Sequence, residues 1–245
     1  MKQEVFIVAH RGLSGLFPEN TMPSFEHALA LPVNAIEFDL YPTRDGKIVI
    51  AHDSKLGRCC NGSGMIYEKT LDELKQLDFG AWKGSEFIGT RIPEFHELLD
   101  FVDQVRPEIF LCVEIKHNDP VYAKTVLNEL KRRNRLHNCS IISSHSEMLR
   151  LAYDFEPGME THGFEPDESL PEEEKKRYFS TLRRIGINKK KVTAEKVEKY
   201  HSMGIRVDVW DPDTPEEFNA MVSLGVDFIT TNRADVITRA AGRIK

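Results

Sequence analysis

The chain has 245 residues, enough for one large domain or two small ones, with apolar and charged fractions ordinary for a globular protein. Its net charge of -6 is mildly acidic, and basic runs such as Lys189-Lys190-Lys191 are too short to track a phosphate backbone, which argues against a nucleic-acid partner. No apolar stretch is long enough to span a bilayer, and Met1-Lys2-Gln3-Glu4 leads into Val5 without a secretory apolar region.

Apolar strand-like runs alternate with amphipathic helix patterns along the whole chain. Val5–Ala9 reads as a strand, followed by a helix from Thr21 with Phe25, Ala28 and Leu29 on one face. Ile36–Tyr41 is the second strand. Ile48–Ala51 follows after a six-residue link containing Asp45-Gly46, too short for a parallel crossover, so it is expected to run back antiparallel. Residues 54–92 break the alternation with Asn61-Gly62-Ser63-Gly64 and a short helix opened by the capping box Thr70–Glu73, and read as an insertion.

A strand at Ile109–Ile115 precedes a helix at Val121–Arg133, with Tyr122, Val126, Leu127 and Leu130 spaced for one face. Ser140–Ser144, Glu160–Phe164, Leu182–Ile187, Ile205–Trp210 and Asp227–Thr230 are the remaining strands. Helices are expected through Met148–Tyr153, from Thr193 to near Gly204, and from the capping box Thr214-Pro215-Glu216-Glu217 to Gly225. Glu165–Lys176, rich in acids and prolines, reads as a mobile surface loop. Eight strands separated by helices imply parallel pairing and right-handed crossovers. That rhythm in about 250 residues is that of a single (β/α)₈ barrel spanning 1–245. An open doubly wound sheet would need a phosphate-binding glycine turn after its first strand, and His10-Arg11-Gly12-Leu13-Ser14-Gly15 is a poor match to one.

Two carboxylates stand out. Glu37 and Asp39 share one face of the second strand while Ile36, Phe38 and Leu40 take the other. Side by side in an apolar strand they repel and resist burial, unless a cation lies between them. Glu114 sits in a similar apolar run, with Lys116 on its face. Three oxygen donors suit Mg²⁺ or Ca²⁺ better than zinc, which prefers nitrogen and sulfur. Barrel active sites lie at the carboxyl ends of the strands, where His10, Glu37, Asp39, Glu114, Lys116 and Trp210 all fall. Cys59, Cys60, Cys112 and Cys139 show no metal-type spacing and are expected as reduced thiols of a cytoplasmic protein.

His10-Arg11-Gly12, Pro18-Glu19-Asn20-Thr21, Glu37-Phe38-Asp39, His52-Asp53, Glu114-Ile115-Lys116 and Val209-Trp210 stand in the order and spacing of one family. From Val5 to about Asp235 the chain resembles the glycerophosphodiester phosphodiesterases. The resemblance implies a (β/α)₈ barrel with a small insertion, here 54–92. It implies one divalent cation on Glu37, Asp39 and Glu114, and hydrolysis of small glycerophosphodiesters to glycerol 3-phosphate and an alcohol. His10 and His52 would be the general acid–base pair. Arg11 and Lys116 would neutralise the phosphoryl oxygens. Glu19 would brace the site from behind, and Trp210 and Phe17 would face the glycerol carbons.

Two departures stand out. Ser143-Ser144-His145 has histidine where the family has phenylalanine, and Asp211-Pro212-Asp213 follows Trp210 where Thr and Asn are common. Both suggest a polar, open rim. Rival readings are a phosphoinositide-, sphingomyelin- or lysophospholipid-cleaving relative, a Schiff-base aldolase using Lys116, and a metal- and phosphate-binding barrel without catalysis. The lipases need an exposed apolar or basic amphipathic surface, which the sequence does not display, so no stable membrane association is expected. Carboxylates beside Lys116 would raise its pKa, against an aldolase. Intact His10 and His52 speak against the third.

Overall fold

The computed structural model describes residues 4–244. Its strands are β1 (Phe6–Ala9), β2 (Ala35–Pro42), β3 (Ile48–Ile50), β4 (Phe110–Ile115), β5 (Cys139–Ile142), β6 (Glu160–Phe164), β7 (Arg184–Asn188), β8 (Arg206–Trp210) and β9 (Phe228–Thr231). They pair in the order β1-β9-β8-β7-β6-β5-β4-β2, and β1 also pairs with β2, which closes the sheet into a (β/α)₈ barrel of eight parallel strands. The ninth, β3, lies antiparallel on the end of β2, with Leu40 opposite Ile50.

Outside the barrel run α1 (Met22–Leu29), α3 (Phe95–Val105), α4 (Pro120–Arg132), α5 (Ser146–Phe155), α6 (Glu172–Thr181), α7 (Ala194–Ser202), α8 (Pro215–Leu224) and α9 (Ala234–Ala240); α2 (Leu71–Lys75) lies in the insertion. The main core fills the space between strands and helices. Ile7, Ala9, Ile36, Phe38 and Leu40 face outward into it and meet Phe25, Leu98, Leu127 and Leu149 from the helices. Burying such side chains contributes roughly 1.5–3 kcal/mol each.

The opposite faces of the same strands fill the barrel interior. Its lower part is closed by Arg184, 1 % exposed, whose guanidinium stacks at 3.6 Å on Phe228 and donates to Glu160 and Asp208. A buried cation is tolerable with such partners.

Three elements differ from the sequence reading. α3 was not expected, yet Phe95, Leu98, Leu99 and Val102 form its buried face and make it the crossover helix of the second unit. Half of the segment expected as a loop is helical, since α6 starts at Glu172. Three acids in its first turn favour the positive end of the helix dipole. Local propensity thus outweighed the low apolar content that had suggested a loop. At α8 the Thr214 hydroxyl accepts from Glu217 N, but the Glu217 carboxylate turns to Asp213 N, so only half of the expected capping box forms. The insertion builds a second apolar cluster from Leu56, Ile66, Leu74, Phe79 and Ile92 against Tyr41 and Val49.

Candidate active site

The site forms at the carboxyl end of the barrel, and the register of β2 against β4 creates it. Asp39 lies directly opposite Glu114, and Glu37 opposite Cys112, so all three carboxylates face the barrel axis. Glu37, Asp39 and Glu114 each offer an oxygen within 4.8 Å of the others, the one such cluster found among the described residues. Asp39 is 0 % exposed, and its Oδ1 has no hydrogen-bond partner.

The field here is strained. Burial, then the Asp39 charge, holds Glu37 well above the ordinary carboxylate range and pushes Glu114 up to about 7. Asp39 goes the other way: burial would raise it, but Lys116 and Arg11, each 3.5 Å away, outweigh burial and lower it. Lys116 also donates to Glu114 at 2.9 Å, and these acids raise its pKa despite burial, which leaves it no basis as a Schiff-base amine.

The chain after β1 is shaped for this cluster. Arg11 and Gly12 both take positive φ, of 55° and 80°. A side chain on Gly12 would press into the Ser24 backbone at 2.7 Å, so only glycine fits. The turn aims Arg11 N at Glu37 Oε2, 2.8 Å away. Asn20, also at positive φ, donates from Nδ2 to Asp39 Oδ2 at 2.7 Å. Glu19 accepts from Arg11 NH1 at 2.9 Å.

His10 follows β1, with Nε2 3.9 Å from Glu37. Burial and then Arg11 lower its pKa to about 4, so the ring is neutral near pH 7. Its Nδ1 lies 2.8 Å from Asn232 Oδ1. The Asn232 amide nitrogen donates to Asp211 at 2.7 Å and Asp213 at 3.0 Å, which fixes the orientation of the amide. Nδ1 of His10 therefore carries the proton and Nε2 is bare. His52 follows β3, with Nδ1 2.8 Å from Asp53 Oδ1; burial lowers its pKa too. Both histidines thus carry Nδ1–H held by an outer acceptor.

Asp211 and Asp213 do not stand free on an open rim, as the sequence suggested. They hold Asn232, and Asp213 Oδ1 also accepts from Thr231 Oγ1 and Asn232 N. Trp210 ends β8 with its Nε1 buried and unpartnered. Phe17 sits elsewhere than expected: its ring stacks on His27 at 3.9 Å and meets Phe87 edge-on at 5.5 Å, because the loop between Gly12 and Pro18 packs on the insertion. Lys83 ties the same two segments by donating to Ser14 O and Gly15 O. These two segments expose Leu16 by 45 %, Trp82 by 40 % and Ile88 by 68 %, apolar exposure that the sequence alone did not display.

The sequence reading named Asn20 only within a motif and gave it no role, and it missed Asn232 and Arg58. Asn232 lies just past a barrel strand, which was a usable signal. Arg58, in the insertion, carried none.

Residues 10–236 match the model of the glycerophosphoryl diester phosphodiesterase family. The chain belongs to that family. It is accordingly a phosphoric diester hydrolase. A glycerophosphodiester phosphodiesterase of Caldanaerobacter subterraneus subsp. tengcongensis is 28 % identical over 241 residues, which are 96 % of each chain. One from Bacillus altitudinis is 29 % identical over 238 residues, 94 % of this chain and 95 % of that one. The structure of an Oleispira antarctica phosphodiesterase in complex with the product sn-glycerol-3-phosphate superposes with a TM-score of 0.84 at 25 % identity, covering 97 % of this chain and 96 % of that one.

Proposed function

We propose that this family member hydrolyses small glycerophosphodiesters to glycerol 3-phosphate and an alcohol, with Mg²⁺ or Ca²⁺ held by Glu37, Asp39 and Glu114. The observation that carries the reading is the convergence of three buried carboxylates, two histidines and two cations at one barrel end. The donor set fits a hard divalent ion: all oxygen, one of them a buried orphan, with no cysteine among them. When bound, such an ion supplies Lewis acidity to a phosphoryl oxygen and to the attacking oxygen. Arg11 and Lys116 offset the negative charge of the phosphoryl group, Arg11 as a planar fork and Lys116 as a point charge. Trp210 bounds the place left for the glycerol carbons.

His10 and His52 move protons at Nε2. One takes the proton of the attacking oxygen, and the other returns one to the leaving alkoxide. The neutral state of both rings at rest supports the accepting role for either.

Cation binding is coupled to protons. Glu114, raised to about 7, is mostly protonated below that pH, and an ion must displace its proton. Affinity is therefore expected to rise with pH from 6 to 8. Calorimetry in two buffers of different ionisation heat should show on the order of one proton released per ion near pH 6.5. An affinity flat across that window contradicts the site.

The substrate range follows from the roles assigned above. They concern phosphate, cation and glycerol and none is given to a head group, so several head groups should be accepted. Across glycerophosphocholine, glycerophosphoethanolamine and similar diesters, kcat/KM is expected to vary by less than about a hundredfold, roughly 2.7 kcal/mol. The exposure of Leu16, Trp82 and Ile88 favours a second reading, a diester that carries one acyl chain. A strong preference for lysophosphatidylcholine that disappears in the triple serine variant of those positions would establish it over the first.

We read 54–92 as an insertion in one barrel domain, supported by its shared cluster with Tyr41 and Val49. No helix among the described residues is long and apolar enough to cross a membrane. Cys59, Cys60, Cys112 and Cys139 are all free, which supports a cytoplasmic setting.

A further inference from the structure

A single guanidinium joins the two sides of the site. Arg58 Nε donates to Asp53 Oδ2 at 2.5 Å, while its NH1 and NH2 reach Glu19 Oε2 and Oε1 at 2.8 and 2.7 Å. The other oxygen of Asp53 accepts from His52 Nδ1, and Glu19 Oε1 also accepts from Arg11 NH1. The result is one path, His52–Asp53–Arg58–Glu19–Arg11, ending 3.5 Å from Asp39. Its outer members are not rigid by burial: the Asp53 side chain is 34 % exposed and that of Arg58 47 %. An isolated rim pair of this kind contributes little. Here the planar fork of arginine spans two carboxylates from separate loops with three donors held in one plane, a geometry that a point-like ammonium does not reproduce.

We propose that Arg58 is a positioning residue for the hydrolysis, setting the ring of His52 through Asp53 and the guanidinium of Arg11 through Glu19. The assignment rests on the functional reading above. It gives the insertion a role in the chemistry: the loop after β3 supplies the clasp between a proton-transferring histidine on one side and the phosphoryl-facing arginine on the other. Asp53 sits at the open rim, where a carboxylate released by Arg58 can change rotamer and leave His52 Nδ1 without its acceptor. The imidazole then divides between tautomers, and the population with a bare, correctly aimed Nε2 falls. Arg58 touches no carboxylate of the cation cluster, so cation affinity is expected to be independent of it.

The test uses the full chain with saturating Mg²⁺ or Ca²⁺ and glycerophosphocholine. In R58M, kcat should fall by about ten- to a hundredfold while KM rises less than about threefold, and cation affinity should stay within about twofold of wild type. R58K keeps one contact of the two and should lie between. The D53N/R58M double variant should lose less than the product of the two singles, since the Asp53 branch is common to both while the Glu19 branch belongs to Arg58 alone. The ¹⁵N spectrum of His52 should show the Nδ1–H tautomer in wild type and a mixture in R58M. If R58M keeps wild-type kcat and the wild-type His52 spectrum, or if its effect multiplies with that of D53N, Arg58 is only a staple of the loop and the proposal fails. Should R58M not fold, R58K carries the same two readouts. Absence of turnover by wild type would overturn the functional reading instead, while the His52 spectra of wild type and R58K would still decide the role of Arg58.

Discussion

Exhaustive chelation is expected to abolish glycerophosphodiester turnover, and Mg²⁺ or Ca²⁺ to restore it. Glu37 and Asp39 are almost fully buried beside Glu114, and burial of like charges is opposed by both desolvation and repulsion. Two local cations, Arg11 and Lys116, relieve Asp39 but leave Glu37 and Glu114 shifted upward. A divalent ion held there would offset what remains and would be the largest positive charge available to the phosphoryl group. Asp39→Asn should mimic chelation, since Asp39 is the member opposite Glu114 and closest in sequence to Glu37. Turnover that survives a chelator at full rate, with the ion shown to be gone, would remove the cation from the account.

Replacing either histidine should cost about 10²- to 10⁴-fold in kcat, the usual worth of general acid–base catalysis. His10→Ala deletes an imidazole whose tautomer Asn232, Asp211 and Asp213 hold, and His52→Ala one held by Asp53. The double variant should lose less than the product of the singles, because the two groups serve one mechanism. Cation affinity, read by calorimetry, separates chemistry from damage to the carboxylate cluster. A single variant with near-wild-type kcat would make that histidine structural.

The barrel was legible in the sequence from its regular strand–helix alternation, and the shared face of Glu37 and Asp39 from the period-two alternation within a strand. Glu37 and Asp39 had to share a face, Ile36, Phe38 and Leu40 had to take the other, and the short link through Asp45-Gly46 forced β3 to return antiparallel. What was not legible depends on contacts between segments far apart in the chain. Asn232 is 222 residues from His10, and Asp211 and Asp213 look like loose rim charges until the strand order brings β9 beside β1 and β8 beside β9. Arg58 gives no periodic signal, and its partners come from separate loops. Phe17 looked like a substrate contact because of its place in the chain, but the insertion offered its ring Phe87 instead. The exposure of Leu16, Trp82 and Ile88 was hidden for the same reason: each is a single apolar residue in sequence, and their two loops meet only where Lys83 fastens them together. α6 was misread because its stability comes from acids at its amino end more than from an apolar stripe.

The central claim is that this barrel end cleaves the phosphodiester on the alcohol side of glycerol 3-phosphate. The most direct measurement is product identification after incubating purified protein, Mg²⁺ or Ca²⁺ and glycerophosphocholine, with sn-glycerol 3-phosphate and phosphocholine quantified together. The account predicts glycerol 3-phosphate and choline in equal amounts, and none with Asp39→Asn. Accumulation of phosphocholine and glycerol, or no turnover of any glycerophosphodiester with either ion, would contradict it.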